Sequence, residues 1–170
     1  MRLITLDPGL RCCGLAYFRK GKLVHAGCAV NPYTASTKIR DVPAWLGVAE
    51  SCRELIYEWL RGSRATQIVY EMPTVYVDGY ADPNDLMQLA GVLGAIAGMF
   101  PEVPWEGFLP AQWKGQLDKG VHHARIKEFF LSPHEVRKLE VDLGEINAGL
   151  QHNALDAVGL GLHYLKRDRS

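Results

Sequence analysis

Apolar and polar positions change period several times along this chain, and each change marks an element. Residues 2–7, 12–19 and 22–30 are rich in Leu, Ile, Val, Tyr and Phe and read as strands. Pro8-Gly9 breaks the first from the second, and Lys20-Gly21-Lys22 is a short glycine-containing loop that suits a hairpin. From a cap at Asp41, Trp45, Leu46, Ala49, Cys52, Leu55, Ile56, Trp59 and Leu60 recur at helical spacing until Gly62. Residues 67–71 read as a fourth strand, followed by a loop over 72–81 that carries Tyr76 and Tyr80. Asp82-Pro83 then supplies a cap and a proline at the first helical position, opening a helix to about Met99. A fifth strand is predicted over 103–107 and a helix near 122–131. Another begins at Pro133, where Ser132 and Glu135 make a capping box, and the last covers about 150–166.

This order predicts an α/β fold. Three antiparallel strands pass into strand-helix-strand crossovers, giving a mixed five-stranded sheet with helices on both faces. At 170 residues, with no internal repeat, linker or low-complexity segment, one domain over 1–170 is expected. If the first and fourth strands are neighbours, their C-terminal ends meet. Those ends carry the acids Asp7 and Glu71.

Asp7 closes the first apolar run just before Pro8-Gly9, and Glu71 closes Gln67-Ile-Val-Tyr before Met72-Pro73. A third acid, Asp156, is followed only by apolar residues and glycines from Ala157 to Leu162. Ionised groups rarely enter such surroundings unless they are paired or bind metal. Three carboxylates about 4 Å apart, at an effective dielectric near 20, repel by about 4 kcal/mol per pair. Divalent cations remove that penalty, whereas three unrelated turn and capping acids would not meet at all.

Charge changes the picture by its distribution. The net charge is zero, but residues 8–40 hold Arg11, Arg19, Lys20, Lys22, Lys38 and Arg40 without a carboxylate. Residues 65–113 hold six carboxylates without Lys or Arg. The chain then turns basic again at Lys114, Lys119, Arg125 and Lys127. An acidic centre between basic segments suits a metal site beside a phosphate track. Cys12, Cys13, Cys28 and Cys52 contain no Cys-x-x-Cys pair and read as packed thiols. No apolar run approaches the roughly 18 residues that span a bilayer, and no signal core opens the chain. No membrane association and a cytoplasmic location are expected, in a cell or a virus-infected one.

With these residues in view, the segment from Ile4 to Phe18 resembles the opening strands of the RuvC family of Holliday junction resolvases, within the ribonuclease H-like fold. Residues 68–96 are similar to that family's second acidic strand, its loop and its dimerisation helix. Residues 110–130 resemble its basic stretch, and His152-Asn153-Ala-Leu-Asp156 its closing helix. The resemblance runs in order through nearly the whole chain. It implies an endonuclease that nicks four-way or other branched DNA in pairs, using two Mg²⁺ or Mn²⁺ ions and no nucleotide cofactor. Asp7, Glu71 and Asp156 would hold the ions. The family places an acid or His three residues before the last Asp. Here that position is Asn153 with His152 beside it, and both share a face with Asp156, so either could complete the site.

The implied DNA contacts are Arg11, Lys114, Lys119 and Arg125 on phosphates, with His122 and His123 in the same basic stretch. Tyr76, or else Tyr80, would stack at the junction centre. A homodimer would join through Leu89, Val92, Leu93 and Ile96, because the 83–99 helix is apolar on more than one face. Two other readings share the fold: a nucleic-acid-binding module whose activity is lost, and an RNA-processing nuclease. A nucleotide-binding ATPase of the actin and sugar-kinase type would need a second Asp-x-Gly half, for which the chain has no room.

Overall fold

A computed structural model describes residues 1–32, 44–74, 82–115 and 117–168. Asp41, Tyr76 and Tyr80 lie outside the described residues. Five strands form one sheet: β1 (Arg2–Asp7), β2 (Cys12–Arg19), β3 (Lys22–Val30), β4 (Gln67–Glu71) and β5 (Trp105–Phe108). Their order is β3-β2-β1-β4-β5. The first three pair antiparallel, while β1–β4 and β4–β5 are parallel. This is the mixed five-stranded α/β sheet that the sequence predicts. The fifth strand starts two residues later than expected, since pairing to β4 begins at the Pro104 carbonyl, which accepts from Ile68 N–H at 2.9 Å.

The pleat sorts the core into two halves. Ile4 and Leu6 of β1, Leu15 and Tyr17 of β2 and Ile68 of β4 pack against α1 (Ala44–Leu60) and α2 (Pro83–Met99). Leu3, Ala16, Phe18 and Val69 face the opposite side with Trp113, Ile126, Leu139 and the buried stripe of the last helix. That side holds α3 (Pro110–Trp113), α4 (Lys119–Arg125), a π-helical turn (Ile126–Phe130), α5 (Pro133–Gly144) and α6 (Gln151–Tyr164). Because side chains alternate along a strand, Asp7 and Glu71 fall on the α6 face with Leu3 and Val69.

Local chemistry explains the helix starts. The Asp82 carboxylate accepts from Asn84 N–H at 2.8 Å, with Pro83 at the first position of α2. Ser132 and Glu135 form the expected capping box of α5. The predicted 122–131 helix instead begins at Lys119, because Asp118 caps it through Gly120 N–H at 2.8 Å, and it ends in the π-helical turn. The short α3 is additional, opened by Pro110, with the Gln112 side-chain Oε1 accepting from Leu109 N–H at 2.7 Å.

Two of the four residues expected at a dimer interface belong elsewhere. Val92 and Ile96 are fully buried in the core between α2, α1 and the sheet. The i, i+4 pair faces inward, so it cannot meet a partner. Leu89 and Leu93 are half-buried, and the outward side of α2 carries Met87, Ala90, Gly94 and Gly98. Among the described residues, no helix is long and apolar enough to cross a membrane.

Candidate active site

β1 and β4 run parallel with Leu6 opposite Tyr70, so Asp7 and Glu71 follow side by side at their C-terminal ends. Asp156 approaches from α6, which crosses the same face. Three devices seat that helix. Thr5 donates its hydroxyl to the Ala157 carbonyl at 2.6 Å. A Cβ on Gly14 would overlap the Asn153 carbonyl, and one on Gly161 would overlap the Phe18 ring, so glycine permits the close approach at both. Gly159 does the same for His122 and Trp113 beneath.

The acids differ in their partners. Glu71 Oε2 accepts from Trp113 Nε1 at 2.9 Å and from Lys114 Nζ at 3.0 Å. Asp156 is buried and accepts from Lys119 Nζ at 2.8 Å on Oδ2 and from His123 Nε2 at 2.8 Å on Oδ1. Burial raises the Asp156 pKa, but the bonds from His123 and Lys119 and the nearby lysine charges outweigh it and hold the group below 3.8. Asp7 moves the other way. Desolvation, then the charges of Glu71 and Asp156, push it well above 3.8 despite Lys114 and Lys119. Burial lowers the Lys114 pKa, yet Glu71 overrides it and the ammonium is held above 10.5.

The arrangement partly departs from a ready-made metal cluster. Among the described residues, no three His, Cys, Asp or Glu side chains stand close enough together to hold an ion as they are. Lysines pair instead with carboxylate oxygens of Glu71 and Asp156. The donor chemistry fits a hard divalent cation, since three carboxylates share one field and Asp7 responds to both others.

Several expected site residues take other places. His122 is buried edge-on against Trp113, ring centroids 5.3 Å apart, and its Nε2 lies against Gly159. Burial lowers its pKa, so the ring is neutral and out of reach of a DNA backbone. His123 turns inward to Asp156 with its side chain 15% exposed. Neither expected partner of Asp156 is hydrogen-bonded to it: Asn153 is half-buried near the Cys12 thiol, and His152 is exposed at the start of α6, where the Asp156 charge still acts on it. His123 was legible as Lys119 plus four on one helix, a spacing that puts both side chains on one face. Arg11 is exposed, and the Arg125 guanidinium lies 5.5 Å over the Phe130 ring.

No family model and no curated protein sequence matches the chain. Solved structures do. Thermus thermophilus RuvC in complex with a Holliday junction substrate is 19% identical and covers 97% of this chain and 93% of its own, with a TM-score of 0.57. A second T. thermophilus RuvC structure is 18% identical at 97% and 94% coverage, TM-score 0.61. The yeast mitochondrial Holliday junction resolvase Ydc2 is 12% identical, covering 98% of this chain and 78% of its own, TM-score 0.62. The chain shares their fold from end to end.

Proposed function

We propose that this protein is a structure-selective endodeoxyribonuclease that resolves four-way DNA junctions by paired nicks. The observation that carries this reading is the placement of Asp7, Glu71 and Asp156 on one face of a sheet shared with three junction-resolvase structures. Bound Mg²⁺ or Mn²⁺, two per site, would supply an activated water and stabilise the leaving oxygen. The chain's own groups do the rest. Asp7, Glu71 and Asp156 would hold the cations. Asn153 or His152, at the start of α6, would complete the site. His123 orients Asp156 and keeps it ionised. Arg11, Lys114 and Lys119 hold phosphates on either side of the scissile bond, and Arg125 extends that track. Water then adds to phosphorus, one P–O bond breaks, and the leaving oxygen takes up a proton. Tyr76 is assigned the stacking role at the opened junction.

The test is incubation of the protein with a labelled four-way junction plus Mg²⁺ or Mn²⁺, beside linear duplex and single-stranded RNA. Symmetric nicks confined to the junction are expected. Cleavage of the RNA alone would favour the RNA-processing nuclease, and binding without cleavage the inactive module.

An open junction has two-fold symmetry, so paired nicks call for two sites related by a two-fold axis. The surface assigned to the partner is the outward side of α2, with Met87 75% exposed. Beside it lies a shallow groove of about 450 Å³ lined by Leu86, Ala90, Leu93, Gly94, Ala97 and Trp105. A Cβ on Gly94 meets nothing within 4 Å, so Gly94→Glu has room within one chain. Light scattering at micromolar concentration should give twice the 18.9 kDa chain mass for the wild type and once for Gly94→Glu. A monomeric wild type that still nicks both strands symmetrically would overturn the dimer.

A further inference from the structure

Acids and cations in the cleft come from different parts of the chain. Asp7 and Glu71 stand on the sheet and Asp156 on α6, whereas among the described residues the side chains bonded to Glu71 and Asp156 are Trp113, Lys114, Lys119 and His123. Lys114 takes Glu71 from the end of α3, and Lys119 takes Asp156 from the start of α4. Between them Gly115 has φ 61°, a left-handed conformation that glycine adopts without strain.

Such an arrangement cannot coexist unchanged with bound metal. A divalent cation binds carboxylate oxygen at about 2.0–2.1 Å if it is Mg²⁺. An ammonium 2.8–3.0 Å from the same oxygens would then lie within about 5 Å of the ion and be strongly repelled. Both lysines have a way out: their side chains are 27% and 52% exposed.

We propose that Lys114 and Lys119 are tethered counter-ions, which occupy the carboxylates in the metal-free protein, are displaced by divalent cation and are thereby released to grip DNA phosphate. The two lysines then act as a strap that couples loading of the metal to capture of the backbone. Metal-free protein would hold its basic groups in reserve, and bound metal would turn them outward.

This rests on the metal-dependent nuclease reading, and the test separates the two. Mn²⁺ is titrated into DNA-free wild type, Lys114→Ala, Lys119→Ala, Lys119→Arg and Asp7→Asn, with free Mn²⁺ read by electron paramagnetic resonance and folding checked by thermal melting. The alanine variants should bind Mn²⁺ about three- to fivefold more tightly than wild type, a pair whose lysine reaches solvent being worth about 1 kcal/mol. Lys119→Arg, which keeps the charge, should match wild type, and Asp7→Asn should bind more weakly. Equal affinity in wild type and both alanine variants, with weakening only in Asp7→Asn, would overturn the strap and leave the metal site standing. If no variant binds Mn²⁺, the metal reading falls and takes this inference with it.

Discussion

Asp7→Asn should abolish junction cleavage and at the same time raise the melting temperature of the metal-free protein. The loss of activity is expected to be on the order of 10³-fold or more, since in the proposed nuclease Asp7 would be a metal-holding carboxylate. Junction binding in EDTA should stay within a few-fold, because phosphates are held by basic side chains. The gain in stability follows from linkage. Asp7 is raised above 3.8 by desolvation and by Glu71 and Asp156, so ionising it costs folding free energy. That cost is fully present above its folded-state pKa and vanishes below the ordinary carboxylate range. Asparagine keeps the shape and removes the charge. Melting curves in EDTA at pH 7 and pH 4 provide the check, and the advantage of Asp7→Asn should shrink at the lower pH. A variant that melts lower than wild type at pH 7, or that still cleaves, would refute the account. This is the expected trade of a functional site against stability.

The second large effect lies far from the cleft. Glu135 is 3% exposed at the start of α5 and is surrounded by donors. Arg167 grips it through Nη1 to Oε1 at 2.8 Å and Nη2 to Oε2 at 2.9 Å. Leu23 N–H donates to Oε1 at 2.8 Å, and the Ser132 hydroxyl to Oε2 at 2.7 Å. Arg167 also donates to the Gly21 and Phe130 carbonyls, both at 2.8 Å. The group joins the β2–β3 hairpin, the π-helical turn, α5 and the C-terminal segment.

Arg167→Ala leaves that carboxylate buried without its charge partner, at a cost of about 3–5 kcal/mol. For a chain of this length the melting temperature should fall by roughly 10 °C. Burial alone would raise the Glu135 pKa, but the bonds from Arg167, Leu23 and Ser132 bring it down from 4.5 to about 2. A depressed carboxylate contributes stability that is present above the unfolded value and lost as pH falls through the folded one. About 3 kcal/mol should therefore drain away between pH 5 and pH 2. Urea midpoints across that range should fall in wild type and fall less in Glu135→Gln. Equal slopes would remove Glu135 from the acid transition.

Strand and helix positions were legible because their signals are local. The alternation in 2–7 and 12–19, the Lys20-Gly21-Lys22 loop, Asp82-Pro83 and the Ser132–Glu135 box each act within a few residues. Asp118 as a cap and the one-turn α3 were equally local, but nothing apolar and periodic announced them. The division of α2 was not local. Leu89, Val92, Leu93 and Ile96 look alike in a sequence, and only packing against α1 and the sheet turned Val92 and Ile96 inward.

By itself, the sequence determined that Asp7 and Glu71 end strands, that Asp156 sits in an apolar helix, and that basic residues flank them. Strand ends and apolar periodicity are properties of short stretches, and parity along β1 and β4 then sends Asp7 and Glu71 to one face. Only the tertiary structure decided which side chains touch those acids. His123 on Asp156 and Trp113 on Glu71 join residues 33 and 42 positions apart, and His122, its neighbour in sequence, is buried instead. Such choices depend on how α3 and α4 dock against α6 through Gly159, a contact that no short window of the chain contains.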